Sequence, residues 1–269
     1  MKTILVTGAS SGFGKRVTEK LLDEGYIVYA AARRIEKMRD IESKGAHVLK
    51  MDITEIASVD AVVTQIIEEQ GQIDVMFNNA GYGSYGTIES IPLEEIQYQY
   101  NVNVFGMARA IKAVLPHMRK RQSGLIINTA SLVGHVSIPV MGWYASTKYA
   151  VEGISDALRA EVKHLGIDVV IIEPGPVKTE FDQVAIANLD KVEHPDDYRD
   201  LVTAFKKFSL NMYAKCPGPE STADAVLKAI KVKRPKARYA TTTDARVLPK
   251  VKRLLGTRLF DKAILSRMK

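Results

Sequence analysis

The chain has 269 residues, 46% hydrophobic and 26% charged, enough apolar material for a large core, which excludes a disordered, collagen-like or fibrous protein. Its net charge of +7 is local: from Lys228 onward 14 basic residues face only Asp244 and Asp261, leaving the rest net acidic, unlike a uniformly basic nucleic-acid binder. The single cysteine, Cys216, excludes an intrachain disulfide, and the five histidines lie too far apart in sequence for metal-ligand spacing, so no metal is expected.

After Met1 and Lys2 the apolar run Ile4-Leu5-Val6 is far shorter than the core of a secretion signal. No later segment approaches the roughly 18 apolar residues of a membrane span. These features predict a cytoplasmic protein. Residues 2–7 read as a buried strand, and Thr7-Gly8-Ala9-Ser10-Ser11-Gly12-Phe13-Gly14 follows, opening onto a helical pattern over 15–24. A glycine-rich strand-to-helix turn lets backbone amides approach a pyrophosphate, helped by the field of the helix N-terminus. The same turn can also exist without a ligand. The next strand, 27–31, runs into Ala30-Ala31-Ala32-Arg33-Arg34. NAD sites carry an acid there for the ribose hydroxyl, whereas two guanidinium groups suit a phosphate, so NADP(H) is expected over NAD(H). A solvated arginine pair is the bland alternative.

Strands are predicted at 47–51 and 75–78, with a helix at 56–70 between them. One long helix is predicted over 93–118, then strands over 124–128 and 168–173 with a helix at 145–165, and a short strand over 237–240. Near-continuous apolar strands alternating with amphipathic helices predict an α/β fold: a Rossmann-type doubly wound parallel sheet in three α/β/α layers. Ser131 is followed by Tyr144 and, one helical turn on, Lys148. An ammonium beside a phenol favours the phenolate, which is what reversible protonation of an alkoxide requires. The stripe Val151, Ile154, Leu158, Val162 and Leu165 is expected to be buried. His135 reads as a hydrogen-bonded loop histidine and Cys216 as an inert loop thiol.

Taken together, the Thr7–Gly14 loop, Asn78-Asn79-Ala80-Gly81, Asn103, Ser131, Tyr144-x-x-x-Lys148 and Pro174-Gly175 resemble the short-chain dehydrogenases/reductases over about residues 1–180. The Tyr82-Gly83-Ser84-Tyr85-Gly86 loop and the Arg33 strand end are most similar to its 17β-hydroxysteroid and retinol dehydrogenase branch. The resemblance implies a catalytic set of Asn103 (water for proton exit), Ser131 (substrate carbonyl), Tyr144 (acid/base) and Lys148 (nicotinamide ribose, lowering the Tyr144 pKa). It implies that Gly8, Ser10, Ser11, Gly12, Phe13 and Gly14 surround the pyrophosphate and adenosine ribose, with Ser11, Arg33 and Arg34 at the 2′-phosphate. Asp52 and Ile53 would meet the adenine, Asn79, Ala80 and Gly81 the ribose, and Pro174, Gly175, Val177 and Thr179 the nicotinamide side. The implied activity is NADP(H)-dependent hydride transfer to or from a hydrophobic ketone, aldehyde or alcohol. Competing readings are a nucleotide-sugar epimerase or dehydratase, for which the chain is short, and a non-catalytic NADP-sensing scaffold, which has no use for an intact tetrad.

The whole chain is expected to be one domain: a core over 1–180, a substrate-loop insertion over 181–220, and a last helix, strand and basic tail over 221–269. The resemblance also implies a homodimer or homotetramer, paired through the helices around 93–118 and 145–165. Apolar residues among the tail's cations read as a terminal helix packed over the substrate site, with a weak membrane-surface contact as the alternative.

Overall fold

The computed structural model describes residues 1–268; the last residue of the basic tail, Lys269, lies outside the described residues. Seven parallel strands, β1 (Thr3–Thr7), β2 (Ile27–Ala32), β3 (His47–Lys50), β4 (Val75–Asn78), β5 (Gly124–Thr129), β6 (Ile167–Glu173) and β7 (Arg238–Ala240), form one sheet. Their order is β3-β2-β1-β4-β5-β6-β7. The helices are α1 (Gly12–Asp23), α2 (Arg39–Glu42), α3 (Ile56–Gln70), α4 (Leu93–Tyr100), α5 (Met107–Arg121), α6 (Gly142–Val162), α7 (Glu180–Leu189), α8 (Arg199–Lys215), α9 (Glu220–Lys231) and α10 (Thr243–Met268).

Every other strand residue points to the same face, and both faces are covered. Ile4, Val6, Val28 and Phe77 pack with Val17 and Leu21 of α1 and Ala223 and Val226 of α9. Leu5, Tyr29, Met76 and Ile126 pack with Val63 of α3, Ile111 of α5 and Val151 of α6. The apolar runs therefore lack alternation because each residue has a core to enter, whichever way it faces. This is the three-layer Rossmann-type arrangement expected from the sequence.

Strand order reverses direction at the β1/β4 pair, the place where a doubly wound sheet opens a crevice beyond its strand ends. The glycine loop leaves β1 there, and Asn79-Ala80-Gly81 leaves β4. A buried polar chain then fixes α6 against the sheet: Asn78 Nδ2 donates to Asn128 Oδ1 at 2.9 Å, and Asn128 Nδ2 donates to Ser155 Oγ at 2.9 Å.

Three local expectations need correction. The helix predicted over 93–118 is interrupted by a turn of wider π-helix, Asn101–Gly106, which contains Asn103; such widened turns occur disproportionately at functional sites. Ile154, placed on the buried stripe of α6, is 37% exposed, whereas Val151, Leu158 and Val162 of the same stripe are buried. The insertion is not irregular: α7 starts with a capping box between Thr179 and Asp182, and α8 buries Phe205.

The polar chain has a stability consequence. An Asn128→Ala variant leaves buried groups on Asn78 and Ser155 without their partners and is expected to lose about 1–3 kcal/mol, readable by urea unfolding.

Candidate active site

The cradle at the crevice is built from glycines that cannot be replaced without collision. Gly8 has φ +67, and a Cβ there would lie 2.8 Å from Ala80 Cα. On Gly14 a Cβ would come within 2.4 Å of the Gly8 carbonyl oxygen. The two loops therefore lie backbone to backbone, held by Asn79 Nδ2 donating to the Thr7 and Gly8 carbonyls at 3.1 and 3.3 Å. Thr7 Oγ1 accepts from the Asn79 and Ala80 amides at 3.1 and 3.2 Å. Ser11 precedes α1 without capping it, and the first turn carries no acid, so the helix start presents amides and a positive field over Ser10 to Gly14. These features fit a pyrophosphate.

Other predicted cofactor residues converge on the same cradle. Arg33 lies exposed at the end of β2 with Nη1 donating to Tyr98 Oη at 2.7 Å, and Arg34 is exposed beside it. The Asp52 carboxyl lies below its ordinary range even though burial opposes this, because Thr54 donates to it from hydroxyl and backbone and Arg33 adds its charge. Ile53 is buried against Gly106. Thr179 lies against Gly12, where a Cβ would meet it at 3.5 Å, so the segment from Pro174 through Gly175 and buried Val177 returns to the glycine loop.

Ser131, Tyr144, Lys148 and Asn103 come together beyond β4 and β5. Ser131 Oγ donates to the Pro174 carbonyl at 3.3 Å and accepts the Val133 amide at 3.3 Å. Lys148 Nζ lies 5.7 Å from the Tyr144 ring centre and donates to the Thr129 carbonyl at 2.9 Å. A Cβ on Gly81 would meet both Asn103 Oδ1, at 3.1 Å, and Lys148 Nζ, at 3.9 Å, so these groups share one small space. The Asn103 amide is committed to the Tyr82 backbone, with bonds of 3.0 and 2.9 Å, and to Thr147 Oγ1 at 3.2 Å. Its side chain thus holds the Gly81-Tyr82 segment in place.

The expected depression of the Tyr144 phenol by Lys148 is not what this geometry gives. Burial pushes the phenol well up, Tyr213 adds to the rise, and the Ser131 hydroxyl pulls weakly the other way. The ammonium itself is pushed down to about 8 by burial, against the field of Glu152. Tyr144 is therefore a neutral phenol at neutral pH, a proton donor rather than a resident phenolate.

The roof over Tyr144 is apolar. Tyr85 lies edge-on to both Tyr144 and Phe205, with ring centres 5.9 and 5.7 Å apart, and Phe181 sits 5.3 Å from Tyr144. Val133, Val140, Met141, Leu189 and Met268 complete the cluster. Val140, just before α6, adopts φ +71, a strained conformation for a β-branched residue of the kind that collects at functional sites.

Several of these groups were not singled out as site residues from the sequence. Tyr85 stands in the loop that carries the branch resemblance, and Phe205 and Tyr213 lie in the insertion, but nothing local shows that they close on Tyr144. Glu152, Glu173 and Arg238 form the second omission. Arg238 Nη2 is 3.1 Å from Glu152 Oε2, and its Nε is 3.1 Å from Glu173 Oε1. His135 Nε2, as a bonded loop histidine should, sits 3.1 Å from Glu173 Oε1. The ligand atoms of His135, Glu152 and Glu173 lie within 4.8 Å of one another, close enough for a metal, but the Arg238 guanidinium already supplies the positive charge. A glutamate ending an apolar strand and another one turn beyond Lys148 were the available signals. Cys216 donates to the Met212 carbonyl at 3.1 Å, and burial pushes its thiol up, as befits an inert thiol.

Residues 2–190 match the short chain dehydrogenase family. The chain belongs to that family. This short-chain dehydrogenase is 45% identical to a 3-ketodihydrosphingosine reductase of Bacteroides thetaiotaomicron over 182 residues, covering 66% of this chain and 65% of that enzyme. It is 34% identical to the NADPH-dependent 3-dehydrocapnine reductase of Ornithobacterium rhinotracheale, across 100% of this chain and 98% of the relative. Among solved structures, a short-chain dehydrogenase from Streptomyces avermitilis superimposes with TM-score 0.82 at 30% identity, covering 94% of each chain. Solved neighbours of this fold hold NAD or NADP. The dehydrogenase is thus an oxidoreductase of the class that interconverts alcohols and carbonyls, on a fold that binds nicotinamide dinucleotides.

Its buried charge cluster can be tested directly. Burial, with Glu173 adding, pushes the Glu152 carboxyl up to about 7, against His135 and Arg238. Arg238→Met removes the cation from two carboxylates that are nearly buried, while Arg238 itself is one-third exposed. The expected loss is therefore about 2–3 kcal/mol, below that of a fully buried pair. A raised carboxyl destabilises the fold in its charged form, so the loss should be greatest above pH 7 and shrink below it as Glu152 takes up a proton; unfolding curves at pH 6 and 8 check the sign.

Proposed function

We propose that the dehydrogenase uses NADPH to reduce a ketone carried on a long-chain lipid. The observation behind this reading is the enclosure of Tyr144 by the apolar side chains of Tyr85, Phe181, Phe205, Leu189 and Met268. Such an enclosure favours an apolar chain next to the reacting carbon. The Bacteroides and Ornithobacterium relatives, a 3-ketodihydrosphingosine reductase and a 3-dehydrocapnine reductase, support the same class. Preference for NADPH is supported by Arg33 and Arg34 where NAD sites carry an acid, and by the NADPH dependence of the Ornithobacterium relative.

In this reading Gly8, Ser10, Ser11, Gly12, Phe13 and Gly14 hold the pyrophosphate side, and Ser11, Arg33 and Arg34 the 2′-phosphate. Asp52 and Ile53 serve the adenine, Asn79, Ala80 and Gly81 the ribose, and Pro174, Gly175, Val177 and Thr179 the nicotinamide face. When bound, the cofactor supplies the hydride. The chain supplies placement and a proton. Ser131 hydrogen-bonds the substrate carbonyl, and Tyr144, a neutral phenol at working pH, donates its proton to the developing alkoxide. Lys148, fixed on the Thr129 carbonyl, stabilises the phenolate left behind, and Asn103 keeps the Gly81-Tyr82 backbone and Thr147 in register with it. Phe105 of the widened turn and Ile154 of α6 are both exposed, which supports pairing of two copies through these helices into a homodimer or homotetramer.

Tyr144→Phe is expected to lower kcat by about 10²–10⁴-fold on a long-chain ketone while NADPH still binds; undiminished turnover overturns the assignment. Carbonyl reduction by the parent enzyme should fall as pH rises through about 8, where Lys148 loses its proton. Arg33→Ala should raise KM for NADPH by about tenfold and leave NADH unaffected, as steady-state kinetics with both cofactors will show.

A further inference from the structure

Helix α10 breaks at Gly256, which takes φ 71 and ψ 169. The break is an elbow with two different sides. Inward, beyond the break, Phe260 packs beside Leu132, Ile264 joins the roof over Tyr144, and Met268 is buried within that roof. Outward, every residue from Arg253 to Leu259 is exposed. Leu254 is 85% exposed, Leu259 56% and Leu255 42%, so three large aliphatic side chains crowd one bend with no covering. Cations flank them. Lys250, Arg253, Arg258, Lys262 and Arg267 form no ion pair among the described residues, and Asp261 is the only acid from Ala245 to Met268.

We propose that this elbow docks on an anionic phospholipid surface, with Leu254, Leu255 and Leu259 entering the headgroup region and Arg253 and Arg258 meeting lipid phosphates. Leucines alone would suit a second copy of the chain. A symmetric pairing, however, would set the same unpaired cations against each other, whereas an anionic leaflet accommodates both the apolar tip and its charged flanks. No helix of the described residues is long and apolar enough to cross a membrane, so the contact is interfacial. The inference extends the lipid-ketone reading: the half-helix that carries Leu259 also roofs Tyr144, so a long-chain ketone has a route from leaflet to site that avoids bulk water.

The test is co-sedimentation of the full-length protein with vesicles of phosphatidylcholine, with and without phosphatidylglycerol. Binding is expected only to the mixed vesicles and should weaken as salt is raised. A Leu254→Glu, Leu255→Glu, Leu259→Glu triple variant should bind at least about tenfold more weakly while keeping its melting profile and NADPH affinity. The milder Arg253→Gln, Arg258→Gln pair should lose binding to a smaller degree and serves if the triple variant folds poorly. Equal recovery on neutral and anionic vesicles overturns the proposal, as does undiminished binding by the variants. Light scattering that shows an elbow-dependent dimer with no vesicle binding also overturns it and assigns the leucines to a second copy. None of these measurements requires turnover, so their failure is separate from failure of the substrate reading.

Discussion

The position of Lys148 is the constraint around which the site is arranged. An ammonium taken out of water is destabilised unless something replaces its hydration, and burial pushes it down to about 8 even with Glu152 opposing. The Thr129 carbonyl at the end of β5 bonds it, and the field of Glu152, one helical turn along α6, opposes the desolvation. Glu152 is itself a buried carboxylate that requires a cation, which Arg238 provides from β7 while also reaching Glu173 on β6. One charge placed for chemistry thus recruits a chain of partners across α6, β6 and β7. It also explains why a short edge strand with only modest apolar content is retained: it carries the guanidinium. Asn128 and Ser155 secure the other side of α6, so the helix bearing Tyr144 and Lys148 is fixed to the sheet by polar bonds in addition to its apolar stripe.

The crevice at β1 and β4 follows a second logic, that of close approach. Gly8 and Gly14 permit backbones to touch where any Cβ would collide, and Asn79 uses its amide to hold the two loops together. The same compression leaves amides at the start of α1 facing outward, which suits an anion. Thr179 then closes against Gly12 and caps α7, so the cradle and the first lid helix share a residue.

Much of this was legible in the chain, for identifiable reasons. Strands buried on both faces give unalternating apolar runs, which mark β1, β2, β4, β5 and β6, while the edge strands β3 and β7 are only partly covered, and glycines forced by collision appear as a fixed spacing. Tyr144 and Lys148 were readable because a helix turn brings i and i+4 together without help from the rest of the fold. What escaped were relations that only tertiary structure creates. Arg238 meets Glu152 across 86 residues of chain, and no local pattern marks either as a partner. The widened turn at Asn101–Gly106 has no signature distinguishable from ordinary helix. The helical pair α7 and α8 was obscured by Pro176, Pro195, Pro217 and Pro219, which bound the helices and do not enter them. The protonation of Tyr144 was misjudged for a related reason: sequence places Lys148 one turn away, but the degree of burial depends on residues as distant as Phe205 and Met268.

That last relation ties access to chemistry. Tyr85, Phe181, Phe205 and Met268 come from four separate segments, and together they keep water from Tyr144. Their exclusion of solvent is what pushes the phenol above its ordinary range, and it is also what an incoming substrate must displace. A ligand that replaced these rings with its own apolar chain would leave the phenol as dry as before. A small polar carbonyl would open the roof and admit water, lowering the phenol toward its ordinary range and weakening the electrostatic partnership with Lys148. The tilt of α10 matters for the same reason: the half-helix beyond Gly256 supplies Ile264 and Met268 to the roof, so whatever the elbow touches bears on how readily that roof lifts.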